Sequence, residues 1–453
     1  MNEKITTVFV NALQVPDLRR RIYFVLGMFV FFVFGSHIPV PGTDAARLVD
    51  FFEGATGGGG GSIWDLLDVF SGGSLKRFSI FALGVMPYIN ASIIFNLLVV
   101  IIPQFEELSK EGESGRKLIQ QYVRYSTVFL AALQSIGLLS MLWQFGVAPN
   151  SGNLAQDYLN RALIVATMTA GTFTLMWVGE LITEHGIGNG ISLIIMAGII
   201  SRIPSTFAQD LITAGDTPGI IKHVFLFSIL AVGMIWCITF MHLAERRIPV
   251  HYARRQVGRR FYESYTHNLP LKVNMAGVIP IIFAISLLLF PSTIASYFSI
   301  QSENPIAAGL ARFGSWFPAS WLYYALYAIL TMIFTYFYTA VTFKPKEVAE
   351  NLKKSGGYIQ GVRPGPRTQV YIERILERTT FLGACYLAAV AVLPSLAYQY
   401  WFPNMHTLNL IGGTSILIMV GVALDSVREL DARLTMLRYE SAFDSSRSRG
   451  RTY

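Results

Sequence analysis

Two glycine-rich stretches are the first candidates for ligand chemistry in this sequence. Residues 57–61 are five consecutive glycines, but no predicted strand precedes them and no Lys-Ser or Lys-Thr pair follows, as a phosphate loop requires. The stretch GIGNG, residues 186–190, weakly imitates a dinucleotide fingerprint and stands at the start of an apolar run. We therefore interpret the first stretch as a flexible linker outside the membrane and reject a nucleotide site at the second.

The cysteines suggest neither a metal site nor a disulfide. Cys237 and Cys385 each lie inside an apolar run, with no CxxC spacing and no neighbouring His or Asp. We interpret both as small core residues. Because we also find no catalytic constellation, the sequence predicts a protein that is not an enzyme and carries neither a cofactor nor a metal.

The composition is that of a polytopic membrane protein. Of the 453 residues, 53% are hydrophobic and 14% are charged, against about 25% charged in a typical soluble domain. A soluble α/β protein is the alternative, but its buried helices would be shorter. A helix needs about 20 apolar residues to cross a bilayer. Runs near that length predict an all-α fold with ten transmembrane helices, at Ile22–Pro39, Phe78–Ile102, Leu118–Phe145, Ala162–Val178, Ile187–Ile203, Val224–Leu243, Val273–Phe298, Trp316–Phe343, Thr379–Ala397 and Leu408–Leu424.

Lys and Arg residues sort the loops between these spans into two sides, and the cation-rich side faces the cytoplasm. Both termini then lie in the cytoplasm. Five spans in each half give the second half inverted topology, which many transporters share, so this architecture fits both a carrier and a channel. The predicted organisation is an amphipathic N-terminal segment at 1–21, an N-terminal half at 22–205, an extracytoplasmic hinge loop at 206–221, a C-terminal half at 222–427 and a tail at 428–453.

Ionisable residues are scarce in the middle of the predicted spans, where ion-coupled carriers usually place them. Glu180, Glu184 and Asp425 lie at span ends. The spans instead hold amides, each of which taken singly is most simply a hydrogen-bonding group between helices: Asn90, Asn96, Gln134 and Asn274. An apolar pathway with a few amides and no ion ligands suits a substrate that is not recognised through a fixed charge.

Two long cationic loops, at about 244–272 and 344–378, face the cytoplasm in this topology. Positive-inside orientation and attraction to lipid phosphates explain their charge but not their length. Loops longer than about 15 residues tend to be functional. We therefore expect them to dock a cytosolic partner.

Seven motifs, in order along the chain, carry a resemblance to a known family. They are FSGGSLKRFSIFALGVMPYINASII, KEGESGRK, ITEHGIGNGISLI, RRQVGRRFYE, LPLKVNMAGVIP, NLKKSGGYIQGVRPG and GGTSILI. From about Arg19 to Glu440 the chain resembles the SecY family, the central subunits of bacterial protein-conducting channels. The polyglycine and the extracytoplasmic loops depart from the family's pattern.

The resemblance implies an hourglass pore between two five-helix halves, which passes unfolded secretory polypeptides and releases transmembrane segments sideways into lipid. It also implies a plug, a half helix at about 63–71 that closes the pore from outside. That piece is too short to span the membrane, and Gly72 and Gly73 permit a sharp turn after it. Its apolar side chains are Ile63, Trp64, Leu66, Leu67, Val69 and Phe70.

By motif position the resemblance also implies a ring of aliphatic side chains at the constriction and a lateral gate where span two meets span seven. Such a ring lets many sequences slide through, and an empty apolar constriction dewets and blocks ions. The implied ring comprises Val85, Ile89, Ile191, Ile195, Ile282 and Ile418, and the implied gate amides are Asn96, Gln134 and Asn274.

The partners implied by the resemblance are the small membrane subunits SecE and SecG, the SecA ATPase motor, the ribosome through its RNA, signal sequences, unfolded preproteins and membrane lipids. Arg259, Arg260 and Arg363 are the implied docking residues for motor and ribosome, and the location is the bacterial plasma membrane. A ten-span solute carrier is the alternative function. A membrane scaffold or receptor would explain the basic loops but not the plug-like segment.

Overall fold

The structure is a computed structural model of the chain that describes residues 11–43, 68, 71–144, 154–214, 217–252, 255–257, 260–262, 266–296, 305–317, 320–401 and 414–449. The helices of this part are α1 (Pro16–Gly35), α2 (Met86–Ile101), α3 (Pro103–Lys110), α4 (Glu113–Gln144), α5 (Leu154–His185), α6 (Gly190–Ala214), α7 (Thr217–Leu243), α8 (Ile279–Ser296), α9 (Pro305–Trp316), α10 (Trp321–Thr342), α11 (Pro345–Lys354), α12 (Pro366–Trp401) and α13 (Thr414–Arg449). The strands are β1 (Glu245–Tyr252), β2 (Arg255–Val257), β3 (Arg260–Tyr262), β4 (Thr266–Lys272) and β5 (Gly357–Ile359).

Each apolar run of the sequence coincides with most or part of one helix, namely α1, α2, α4, α5, α6, α7, α8, α10, α12 or α13. By length and composition, five helices of the described part can cross a membrane, or six if α2 and α3, bent by 98°, form one span. Shorter apolar stretches lie at Phe227–Leu243 and Ile279–Pro291. The count of ten spans therefore stays a prediction.

Large apolar side chains cover the outer faces of the helices. Phe34, Phe129 and Trp236 are each more than two-thirds exposed. Soluble monomers rarely expose large apolar surfaces of this kind. The two cysteines, expected in the core, are exposed and unpaired instead. An apolar run is consistent with both positions, because a lipid-facing residue is as apolar as a core residue.

The second span begins later than its apolar run. Residues 71–85 form a series of turns, and α2 starts only at Met86, where Pro87 occupies the first helical turn. The turns are held to the end of α1 by hydrogen bonds from the Val40 amide to the Phe78 carbonyl and from the Ile80 amide to the Ile38 carbonyl. Gly84, with a φ of 58°, belongs to these turns, since such angles suit glycine.

The expected hinge loop at 206–221 is wrong in its described part. Helix α6 continues through Pro204 to Ala214, and α7 begins at Thr217. The predicted span ended at Ile203, directly before Pro204, and proline removes one backbone hydrogen bond from a helix. Membrane helices tolerate proline, since neighbouring groups can satisfy the freed backbone.

The two long cationic loops contain strands, so the fold is not purely helical. Strand β1 pairs antiparallel with β4 on one side and with β5 on the other, in the order β4-β1-β5. Buried Ile248 and Val250 of β1 pack with Leu271, Ile359 and Ile372. This small core joins the first loop to the second and to the start of α12.

One hydrophobic cluster forms the centre of the molecule. Helices α1, α2, α5, α6, α7, α8, α10, α12 and α13 all contribute buried side chains to it. Helix α4 packs at the side, against α2 and α5. The centre is therefore a buried apolar interior to which most of the helices contribute.

Candidate functional site

The turn between α5 and α6 fixes where α6 begins. Asn189 caps the helix by accepting a hydrogen bond of 3.2 Å from the Ser192 amide. A Cβ at Gly190 would lie 1.9 Å from the Gly179 carbonyl oxygen of α5. Glycine is therefore required there, since the two helix backbones touch. The GIGNG stretch is a helix-packing turn.

The predicted ring residues all lie in the central cluster. Val85, Ile89, Ile195, Ile282 and Ile418 are at most 5% exposed, and partly buried Ile191 packs against them. The Val85 carbonyl accepts the Ile89 amide at 3.1 Å, so this pair shares one face of the start of α2. The structure thus brings together residues from α2, α6, α8 and α13. Their role as a pore constriction stays a prediction.

The segment after the predicted plug lies against α6. Gly72 approaches Gly198 of α6 so closely that a Cβ on Gly72 would stand 2.8 Å from the Gly198 Cα. Asp68 is fully buried and forms an ion pair with Arg202 of α6. The six apolar plug residues, Ile63, Trp64, Leu66, Leu67, Val69 and Phe70, lie outside the described residues. The plug assignment therefore stays a prediction.

Helices α2 and α8 pack against each other, as the predicted lateral gate requires. Tyr88 and Phe95 of α2 and Phe290 of α8 pack on a small cluster that includes Val123 and Leu130 of α4. Phe95 also stacks on Tyr122, with ring centroids 6.2 Å apart. Apolar and aromatic contacts therefore fill this seam.

The three predicted gate amides do not bond to one another among the described residues. Asn96 is exposed and donates to Ser92 of its own helix at 3.4 Å. Gln134 is buried in α4. Asn274 precedes α8 and donates to the Gly277 carbonyl at 3.0 Å. The expectation that all three lie on gate helices thus fails for Asn274, since α8 starts five residues later, at Ile279.

A polar cavity of about 300 Å³ opens between the end of α7, the start of α8 and α13, and sequence reasoning missed it. His242 of α7 and Asp425 of α13 lie 3.1 Å apart at its wall. Glu429 accepts the Gly188 amide at 2.8 Å, which ties the GIGNG turn to α13. Burial, followed by repulsion from Arg428, lowers the pKa of Lys272 below its usual value. The position of Asp425 at a span end was the signal available in the sequence.

The predicted docking residues are described unevenly. Arg363 is exposed in the turn between β5 and α12, where its carbonyl accepts the Thr368 hydroxyl at 2.9 Å. Arg260 lies in β3, paired with Val257 across a hairpin, and Arg259 lies outside the described residues. Beside Arg363 runs an open groove of about 370 Å³ lined by Val362, Pro366, Arg367, Val370, Tyr371 and Arg374. In the described residues no cluster of three metal-ligating side chains occurs.

Comparison with known proteins places this arrangement in a family. The family model named SecY matches residues 79–427. This chain belongs to the SecY family. Curated relatives named "Protein translocase subunit SecY" include those of Vibrio cholerae, 40% identical over 96% of both chains, and of Halalkalibacterium halodurans, 44% identical over 95% of this chain and 98% of the relative.

Solved structures of SecY-type channels share the fold. "The structure of a protein conducting channel" covers 91% of both chains, with a TM-score of 0.61 and 18% identity. The structure described as "Sec61 in the Canine ribosome-channel complex from the endoplasmic reticulum" also covers 91% of both chains, with a TM-score of 0.59 and 17% identity. The resemblance read from the seven motifs is thereby confirmed, and membership of this family does not favour the solute carrier.

Proposed function

We propose that this chain is the channel subunit of a protein translocase in the bacterial plasma membrane, with both termini in the cytoplasm. It passes unfolded secretory polypeptides across the membrane and lets transmembrane segments leave sideways into lipid. The observation that carries the proposal is the buried apolar cluster, to which α2, α6, α8 and α13 contribute the predicted ring residues. Relatives about 40% identical over 96% of the chain are named protein translocase subunits, which supports it.

In this proposal the ring of Val85, Ile89, Ile191, Ile195, Ile282 and Ile418 seals the resting channel. Aliphatic walls form no hydrogen bonds with a passing chain, so they restrict its sequence little. When the ring is empty, water is expelled from the apolar constriction and ions are blocked. The plug at about 63–71 adds a second seal on the outer side.

The lateral gate opens between α2 and α8. Because apolar and aromatic groups fill the seam, a hydrophobic segment can replace those contacts with its own, whereas a polar segment cannot. Hydrogen bonds between membrane helices average about 0.6 kcal/mol. The gate amides therefore make only a small contribution to the equilibrium between the closed and the open gate. The threshold for release is then set by the hydrophobicity of the segment.

Energy for transport comes from partners, since we assign no nucleotide site to the chain. The sheet β4-β1-β5 unites the two cationic loops, and we assign the docking of SecA and of the ribosome to this united surface, through Arg259, Arg260 and Arg363. Ribosomal RNA phosphates and acidic motor surfaces suit such cations, and the phosphate contacts weaken with salt. SecE and SecG complete the complex within the membrane.

Reconstitution tests the proposal most directly. The chain, with its small subunits, is placed in proteoliposomes with SecA, ATP and a radiolabelled secretory precursor. We expect the precursor to become protease-protected only when ATP is present, without uptake of small solutes. Vesicles that take up a solute but protect no precursor would show a carrier instead. Vesicles whose chain does neither would also overturn the proposal, provided that a known SecY complex prepared in parallel is active.

A further inference from the structure

We infer that Asp68 and Arg202 form a latch that holds the inner end of the plug against α6 and sets how readily the resting channel opens. The inference rests on the proposed function, because it assumes that residues 63–71 plug a pore. Asp68 lies within that range, and the chain after it is described from Ser71 onward. Three features of the structure support the latch: the turn after Asp68, the ion pair, and the face of α6 that receives both.

The turn after Asp68 has the hydrogen bonding and backbone angles of a helix C-terminus. Asp68 and Ser71 are helical, Gly72 has a φ of 68°, and the Gly73 amide donates to the Asp68 carbonyl at 3.0 Å. A glycine in the left-handed region, followed by such a bond, is the Schellman arrangement of a helix end. The Asp68 carboxylate also accepts the Lys76 amide at 3.0 Å. The position of Asp68 is thus fixed from both sides of the turn.

The ion pair connects this turn to α6. Arg202 Nη1 and Asp68 Oδ2 lie 3.1 Å apart, and the two side chains are 14% and 1% exposed. The stem of Arg202 also passes beneath Gly73, where a Cβ would lie 3.5 Å from the Arg202 Cγ. A pair so removed from water is screened little by salt. Loss of one member leaves a buried charge without its counter-ion, which is far costlier than loss of a surface pair.

The latch meets α6 on the same face as the predicted ring. Ile191, Ile195, Gly198 and Arg202 follow one another at spacings of four, three and four residues, which places them along one side of a helix. At 1.5 Å per residue, Arg202 stands about 10 Å beyond Ile195 along the axis. Gly198, between them, is the residue against which Gly72 packs. The turn after the plug is therefore held on the ring-bearing stripe of α6, just outside the ring.

This geometry gives the latch a definite effect on gating. While the pair is formed, the plug's end cannot leave α6 without separating two buried opposite charges. We expect neutralisation of either residue to raise the open fraction of the resting channel about tenfold or more, since 1.4 kcal/mol corresponds to a factor of ten and a buried pair exceeds that. The two effects are not independent, because each substitution removes the same contact.

A double-mutant cycle measures the latch. The variants are Asp68→Asn, Arg202→Gln and the two combined, each purified with the small subunits and examined for resting conductance in planar bilayers. Asp68→Asn keeps an oxygen for the Lys76 amide, so the turn itself is preserved. Arg77→Gln is the matched control, because Arg77 is an exposed neighbouring cation that contacts His37 rather than Asp68.

We expect each single variant to leak about tenfold more than the parent, the combined variant to leak no more than a single one, and Arg77→Gln to behave like the parent. Leaks that multiply in the combined variant would overturn the latch. In a chain deleted for 63–71, Arg202→Gln should add no further leak, and an added leak would reveal a role apart from the plug. If the deletion leaks but Arg202→Gln does not, the latch is wrong while the proposed channel stands. If the parent protects no precursor, the channel itself is wrong.

Discussion

Replacing Gly190 by alanine tests whether the contact between α5 and α6 positions the ring. The added Cβ would stand 1.9 Å from the Gly179 carbonyl oxygen, whereas ordinary contacts begin at 3.4 Å. The helices must therefore part by about 1.5 Å at this point. Overpacking of this kind costs about 1–3 kcal/mol, and the higher helix propensity of alanine returns up to about 1 kcal/mol. We expect a net loss of about 1–2 kcal/mol.

The displacement should also be visible in function. Ile191 follows Gly190 directly, and Ile195 lies one turn further along α6. A shift of α6 moves both away from the central cluster, so the proposed constriction should widen and hold water more readily. Resting conductance in planar bilayers should rise, and the midpoint of thermal unfolding in detergent should fall.

The matched control is Gly233→Ala in α7. Nothing lies within 4 Å of a Cβ at that glycine, so the substitution gains helix propensity without a steric cost. It should leave conductance unchanged and the unfolding midpoint equal or higher. If Gly190→Ala matches this control in both measurements, α5 and α6 do not touch as described, and our account of how the ring is placed fails.

Three further predictions concern the ring, the docking surface and the gate. Ile89→Asn combined with Ile195→Asn should hydrate the proposed constriction and raise ion leak while precursor transport persists. The control, with valine at both positions, should not leak. Loss of transport without leak would indicate a structural role. Arg363→Glu should impair stimulation of the SecA ATPase and ribosome binding without loss of assembly. Lys346→Glu, the same charge change in the same loop, should leave both activities intact. Equal effects of the two substitutions would show that only the net charge of the loop matters and not Arg363 itself. Asn274→Leu removes a bond that Asn274 makes to its own segment, so we expect a drier gate region and an upward shift of the hydrophobicity threshold for inserting Leu/Ala segments. An unmoved threshold would make this amide a packing group.

The apolar runs predicted the helices because burial in lipid needs length and little else. Their ends were harder to predict, since the ends depend on local turns and on contacts with other helices. The run at Phe78–Ile102 became a helix only from Met86, because its first residues, 78–80, pair with the chain after α1. In contrast, α6 continued past Pro204. Hydropathy records whether a residue tolerates lipid, not whether its backbone is helical.

The sheet β4-β1-β5 could not be predicted for a different reason. Strand β5 is three residues long and pairs with β1, which lies about a hundred residues earlier in the sequence. A strand this short carries no readable alternation, and its partner stands beyond any local window. The sequence therefore indicated two separate docking loops where the structure has one platform. For function this matters, because a partner that binds Arg363 is placed against both loops at once.

The buried ion pair of Asp68 and Arg202 could not be predicted from the sequence, although it is the contact that bears most on our proposal for the plug. In the sequence, Asp68 interrupts a short apolar stretch, and Arg202 is one of the few cations outside the cytoplasmic loops. Each alone is a defect in an apolar pattern, and their separation along the chain conceals the pairing. Together they remove both defects, because a charge that has no place in lipid finds its counter-ion instead. In an apolar bundle, isolated charges are therefore the first residues for which a partner should be sought. Here the two charges pair where the proposed plug meets α6, on the face of that helix that also carries predicted ring residues.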